Sequence, residues 1–310
     1  MSEFESMTQS KSLKRVGTGK SFGTFGELLQ GVMSECDLDF LVTFPILCFA
    51  HATFTSDLSR SEVEVSPSFK VKSKKVAELI LQKYGLHPGG KLVIESDIPV
   101  GKGLASSSAD VVATARSISS CFHLSLTEEQ MESIIKKIEP SDGVMYPGVV
   151  SFYHKRVQLK EYLGNLPPLT VVSIDEGGEV DTIQFNQIPK PFSDIEKRQF
   201  DELLDILTRA VREQDIEMIG RVATKSAILN QMLKPKKYLH ATIQICDDIG
   251  GLGIIATHSG TCLGILLSPE DHAYQQKLHT CQEKLRELQD RVNIYYSWNE
   301  ASALRLNAPF

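Results

Sequence analysis

Two short stretches hold the residue types that can manage an anion and a proton. The first, residues 96–110, reads Ser-Asp-Ile-Pro-Val-Gly-Lys-Gly-Leu-Ala-Ser-Ser-Ser-Ala-Asp. Gly101 and Gly103 take side chains away where a phosphate must approach the backbone. Ser106, Ser107 and Ser108 bring hydroxyls able to donate to phosphate oxygens or to ligate magnesium, and Lys102 adds a positive charge. The second stretch, residues 138–148, sets Asp142 in a Ser-Asp-Gly turn behind the helix-stopping Pro140. On these residues alone, a serine-capped helix and a solvated turn aspartate remain open.

The elements around them decide how such groups would be placed. Residues 91–95 read as a strand, and Leu104, Val111, Ala115, Ile118 and Phe122 recur at helical spacing, so a buried helix should begin within the serine run. That puts the glycines at a helix N-terminus, where unpaired N–H groups and the positive end of the helix dipole attract anions. A further helix is expected to open at Ser125, with Glu128 completing a capping box and Met131, Ile134, Ile135 and Ile138 as its buried stripe. Residues 17–31 carry five glycines around a short apolar turn. Residues 39–50 and 51–55 read as two strand runs, and residues 253–267 as strand, tight turn at Gly260, strand. Helices are expected over 73–84, 193–211, 215–232, 237–249 and 269–289, with further strands at 62–65, 149–153, 157–159, 169–174 and 292–298. Periodicity alone thus shows alternating α and β.

Neither common nucleotide fingerprint fits. A Walker A loop needs a Gly-Lys-Ser/Thr ending, and a dinucleotide loop needs Gly or Ala where Ser106 stands. Pro99-Val100-Gly101-Lys102-Gly103-Leu104-Ala105-Ser106-Ser107 instead resembles the phosphate loop of the GHMP kinases, Pro-x-x-x-Gly-Leu-Gly/Ala-Ser-Ser. The extended run to Asp110 is similar to the branch of L-threonine kinases that serve cobalamin synthesis. So are Gly-Thr-Phe-Gly-Glu-Leu-Leu-Gln-Gly at 23–31, Glu-Pro-Ser-Asp-Gly-Val-Met at 139–145 and Ala-Thr-His-Ser-Gly-Thr at 256–261.

The resemblance spans residues 16–300 and implies an α+β, two-domain GHMP kinase fold. Its N-terminal domain, residues 16–165, would contain a left-handed β-α-β unit, and its C-terminal domain, residues 166–310, would be ferredoxin-like. It further implies ATP and Mg²⁺, with Pro99, Gly101, Lys102, Gly103, Leu104, Ala105, Ser106, Ser107 and Ser108 around the nucleotide phosphates. Ser107 and Glu139 would hold the metal, with Glu132 a competitor for the second place. Asp142 would orient or deprotonate the acceptor hydroxyl, and Glu27, Gln30, His258, Ser259, Gly260 and Thr261 would face the acceptor. Ser226, Asn230 and Gln231 are similar to a stretch that closes the pocket from the second domain. Lys20 lies one place off the family's lysine. The implied reaction is phosphorylation of an amino-acid hydroxyl, L-threonine first, with serine, homoserine or another hydroxy acid as rivals and a non-catalytic nucleotide-binding regulator as the reading from another class.

Composition agrees with a small-molecule partner. The 310 residues are 42% hydrophobic and 23% charged, and the net charge of -6 argues against nucleic acid or an anionic membrane surface. Six scattered cysteines form no C-x-x-C pair, so reduced thiols are expected. Residues 1–15 look like a disordered polar start, and no stretch reads as a signal peptide or a membrane span. A cytoplasmic protein is expected; a homodimer stays open.

Overall fold

The computed structural model describes residues 14–178, 188 and 190–299. The polar start expected over residues 1–15 falls almost wholly outside them. The strands form one mixed sheet in the order β10-β7-β9-β8-β1-β2-β4-β3. Its N-terminal half holds β1 (Val16–Val32), β2 (Asp39–Ser56), β3 (Val63–Ser66) and β4 (Gly90–Ser96). A hairpin of β5 (Val149–Tyr153) and β6 (Gln158–Gly164) branches off β2. β3 and β4 run parallel, with α1 (Val71–Lys83) between them, a β-α-β unit. The C-terminal half is built from β7 (Thr170–Asp175), β8 (Gly253–Ala256), β9 (Cys262–Leu267) and β10 (Val292–Tyr296), antiparallel throughout. With its helices this half has the βαββαβ order of a ferredoxin-like arrangement.

β1 and β8 join the halves within the sheet through one residue pair, Glu27 opposite Ala256. Among the described residues three α-helices lie between β7 and β8: α4 (Asp194–Glu213), α5 (Ile216–Leu229) and α6 (Leu239–Ile249). α5 packs on both β8 and β1, and so spans the junction. A further helix, α7 (Tyr274–Arg286), precedes β10.

Several expected elements take a different form. The glycine-rich segment 17–31 is not a turn but most of the long strand β1, paired along its length with β2. Its glycines serve packing. A Cβ on Gly17 or Gly19 would collide with the backbone of α2 (Ser106–Phe122), which lies directly across β1. The two runs 39–50 and 51–55 are a single strand, β2, because β1 and β4 pair it continuously through His51. The capping box of α3 (Glu128–Ile135) is Thr127 with Gln130 rather than Ser125 with Glu128. The same four-residue pattern occurs twice at an offset of two, and the later one places Met131, Ile134 and Ile135 inward. The helix expected over 269–289 begins only at Tyr274, since residues 268–273 are held in turns by Ser268 and Asp271.

The close contact of β1 with α2 gives a test of stability. Gly19→Val should destabilise the protein by about 3 kcal/mol, the range of an overpacked core, whereas Thr18→Ala on the exposed side should stay within about 0.5 kcal/mol. Urea unfolding monitored by circular dichroism measures both.

Candidate active site

α2 begins at Ser106 behind Ala105, which adopts a left-handed backbone (φ 58°, ψ 28°), and no side chain caps it. Its first N–H groups therefore face outward without an internal claim. Gly101 and Gly103 also have positive φ, 72° and 80°, which glycine adopts without strain. Leu104 C=O accepts the N–H of Thr24 at 3.2 Å and pins the loop to β1.

This helix end opens on a cavity of about 250 Å³. Gly101, Gly103, Leu104, Ala105 and Ser106 to Ser108 line one side, and Glu139 to Asp142 another. Glu27, Gln30 and Ser259 close it from β1 and from the turn between β8 and β9. The sequence-derived candidates thus meet in one place, although the stretches that carry them lie far apart in the chain.

Ser107 Oγ donates to Glu139 Oε1 at 2.6 Å, and Lys72 forms an ion pair with Oε2 of the same carboxylate. Glu132 stands elsewhere. Its Oε1 accepts from Tyr146 Oη at 2.9 Å and from Leu159 N–H at 2.7 Å, which fastens α3 to the β5–β6 hairpin. Ser108 Oγ donates to Asp142 Oδ2 at 2.9 Å. Burial, aided by the negative charge of Glu27, pushes the Asp142 carboxyl up to about 7 against the lowering effect of the Ser108 hydroxyl.

Glu27 is itself buried, and its Oε2 receives both the backbone N–H of His258 at 3.2 Å and the ring Nδ1 at 2.9 Å. His258 Nε2 lies 3.3 Å from Ser226 Oγ, and that hydroxyl oxygen accepts the N–H of Gln30 at 3.1 Å. Asn230 Nδ2 donates to Gln30 C=O at 2.9 Å. Ser226 and Asn230 therefore brace β1 at Gln30 from behind. Gln231 turns away, bonding Ala227 C=O and Lys236 N–H.

Not every candidate faces the cavity. Pro99 is exposed outside it, and His258, Gly260 and Thr261 sit behind its wall, with Ser259 alone of that turn lining it. Lys102 sends its ammonium to Asp175, 2.7 Å away, and to Gly178 C=O, while its carbonyl accepts the N–H of Thr261 at 3.3 Å. Its charge is spent on fastening the loop to the C-terminal half. Gly260 C=O accepts from both Lys234 and Lys236, at 2.7 and 2.6 Å, and burial with the neighbouring Lys234 lowers Lys236 to about 8. Lys20 lies over the Phe49 ring, 3.7 Å from its centroid, on the far part of β1.

Lys72, Leu41 and His154 line the cavity without any sequence signal for it. In the sequence Lys72 falls one place before the helix expected over 73–84, which in the structure begins at Val71. Beside the cavity, and sharing Lys72, Val100, Ser106 and Ser107 with it, runs a groove of about 230 Å³. Phe69, Val71 and Val100 lie exposed along this groove.

Asp142 carries a consequence for stability. A carboxyl whose pKa is raised on folding favours the protonated state, so the fold loses stability as pH rises from the ordinary carboxylate range through about 7. Asp142→Asn should therefore be more stable than the parent at pH 8, by on the order of 2 kcal/mol once solvent in the cavity is allowed for, and the gain should vanish near pH 4. Urea titrations at the two pH values measure it.

Comparison with known proteins places this geometry. Residues 72–149 match the profile of the GHMP kinases N terminal domain. The chain is 26% identical over 258 residues to the L-threonine kinase of Salmonella typhimurium (strain LT2), covering 80% of this chain and 81% of that one. Among solved structures it is similar to homoserine kinase from Cytophaga hutchinsonii, at TM-score 0.68 and 16% identity over 96% of this chain and 98% of that one. It is also similar to L. major mevalonate kinase in complex with R-mevalonate, at TM-score 0.65 and 17% identity, with 93% and 96% covered. The matched stretch takes in Lys72, Gly101 to Ser108 and Glu139 to Asp142 of the cavity, and the chain as a whole has the fold of those two kinases.

Proposed function

We propose that the protein is an ATP-dependent kinase that phosphorylates the side-chain hydroxyl of an amino acid, L-threonine before serine or homoserine. The observation that carries this reading is the placing of Asp142, raised to about 7, beside Ser108 in the first turn of α2. An acid–base group and a phosphate cradle then share one cavity. The threonine kinase similarity over four fifths of the chain supports the choice of acceptor.

Phosphoryl transfer asks for position and charge neutralisation more than covalent chemistry. The N–H groups of the α2 start and the Gly101–Gly103 loop would hold the phosphates, with the Ser106 to Ser108 hydroxyls beside them. Ser107 and Glu139 offer one hydroxyl and one carboxylate, a set of hard oxygen donors that suits a magnesium ion bound chiefly through phosphates. When bound, that ion supplies charge neutralisation on the transferred group. Asp142 as carboxylate takes the hydroxyl proton while the acceptor oxygen bonds to the γ-phosphorus and the bond to the bridging oxygen of ADP breaks. The groove at Phe69, Val71 and Val100 offers apolar contact for the base, with Lys72 where it joins the cavity.

A screen of hydroxy amino acids with ATP and magnesium, read by the mass gain of a phosphoryl group, tests the reading. Nucleotide binding without any product would favour the regulator instead. With a substrate in hand, Asp142→Asn should lower kcat about 100-fold with modest change in KM if the carboxyl is the base, and about 10-fold if it only orients the hydroxyl. Phe69→Ala should raise the KM for ATP several-fold and leave that for the amino acid unchanged, as steady-state kinetics would show.

A further inference from the structure

The side of the cavity formed by Glu27, Gln30 and Asp142 is acidic, and among its buried polar atoms is an unpartnered oxygen. Gln30 lines the cavity, is 2% exposed, and its Oε1 has no hydrogen-bond partner among the described residues. An unmet buried acceptor costs about 1–3 kcal/mol, which a ligand donor can return. The backbone of Gln30 is fixed at this place, because Ser226 and Asn230 hold its N–H and C=O from the second half of the chain. Glu27 lines the cavity beside it, with both bonds from His258 falling on Oε2. Asp142 completes an oxygen-rich wall.

Positive charge is missing from that wall. Lys72 is the one lysine or arginine lining the cavity among the described residues, and it is paired with Glu139. Lys102 is paired with Asp175, and Lys234 and Lys236 are both turned to the Gly260 carbonyl, outside the lining. The Glu27, Gln30 and Asp142 side of the cavity therefore offers acceptors and negative charge to its occupant, and among the described lining residues no second lysine or arginine stands by to answer a carboxylate.

We infer that this end of the cavity is a subsite for a primary ammonium group, held by Gln30 Oε1 and Glu27, and that amino alcohols lacking a carboxylate are accepted as well as amino acids. The inference rests on the proposed reading of the cavity as the site of a hydroxyl acceptor, and it narrows that acceptor to cationic amines. An ammonium seated between Glu27 and Asp142 also offsets the repulsion that helps raise Asp142, so the carboxyl ionises as the acceptor arrives.

Calorimetric titration of the full chain with L-threonine, 1-amino-2-propanol and 3-hydroxybutyrate separates the groups. Binding of aminopropanol within about 10-fold of threonine, with hydroxybutyrate at least about 30-fold weaker, is expected. Gln30→Leu should weaken both amines about 10-fold, and Gln30→Glu, which presents oxygen at both ends of its fork, should retain them. ATP affinity of each variant, measured in the same instrument, reports that it is folded. Hydroxybutyrate binding as tightly as threonine, failure of aminopropanol to bind, or full amine affinity in Gln30→Leu would overturn the subsite. Amine binding without phosphoryl transfer from ATP would instead leave the subsite standing and remove the kinase reading.

Discussion

A carboxylate taken out of water must be answered by a partner, and Glu27 is answered across the junction of two half-sheets. It sits at the one residue pair where β1 and β8 meet, and the partner is His258 in the following turn. Gly26 makes the crossing sterically feasible, with φ of +53° and room for no side chain against Ala256 and Thr257. From His258 the contact continues to Ser226 and back to the Gln30 backbone, so one buried polar chain fixes strand, turn and helix together. The Glu27 and Gln30 wall of the cavity is held in place by this chain. Removing either partner would leave a buried charge or ring without its bond, and the damage would reach the fold before the chemistry.

The glycine–serine side of the cavity was legible because its geometry is local. Gly101, Gly103 and the three serines act through backbone conformation and a helix start, which spacing reveals. Asp142 was legible as a turn residue, but its raised pKa was not, since that depends on burial and on Glu27, over a hundred positions away. Choosing between Glu139 and Glu132 as the neighbour of Ser107 likewise needed the fold, because both lie in or just after α3 and only packing shows Glu132 fastened to Tyr146 and Leu159. Residues 17–31 misled for a physical reason: glycines that look like a turn from composition are spaces left for a helix backbone. Lys102 misled similarly, since its place in the loop suggests a phosphate contact while its side chain reaches Asp175.

The distribution of lysines follows one pattern. Lys72 and Lys102 flank the cradle, and each is committed to a carboxylate, while Lys234 and Lys236 bind a carbonyl behind the turn. Asp110 repeats the arrangement deeper in the fold, buried beneath the loop and paired with Lys70. Burial still raises its carboxyl, so α2 is held at that point by a charge pair under strain from desolvation rather than by an inert contact.

The chain has a single tryptophan, Trp298, just beyond β10. It is 1% exposed, donates its backbone N–H to Pro45 at 2.8 Å, and stacks on Phe22 with centroids 4.7 Å apart. Both of those partners belong to the N-terminal strands, and the adjacent Ser297 bridges to Ile46 of β2. The only indole in the molecule therefore sits on the seam where the C-terminal end of the chain returns to its beginning. Its emission is an optical gauge of that seam: parting of the halves wets the ring and shifts its spectrum, whereas rearrangements confined to α7 or the β5–β6 hairpin leave it unchanged.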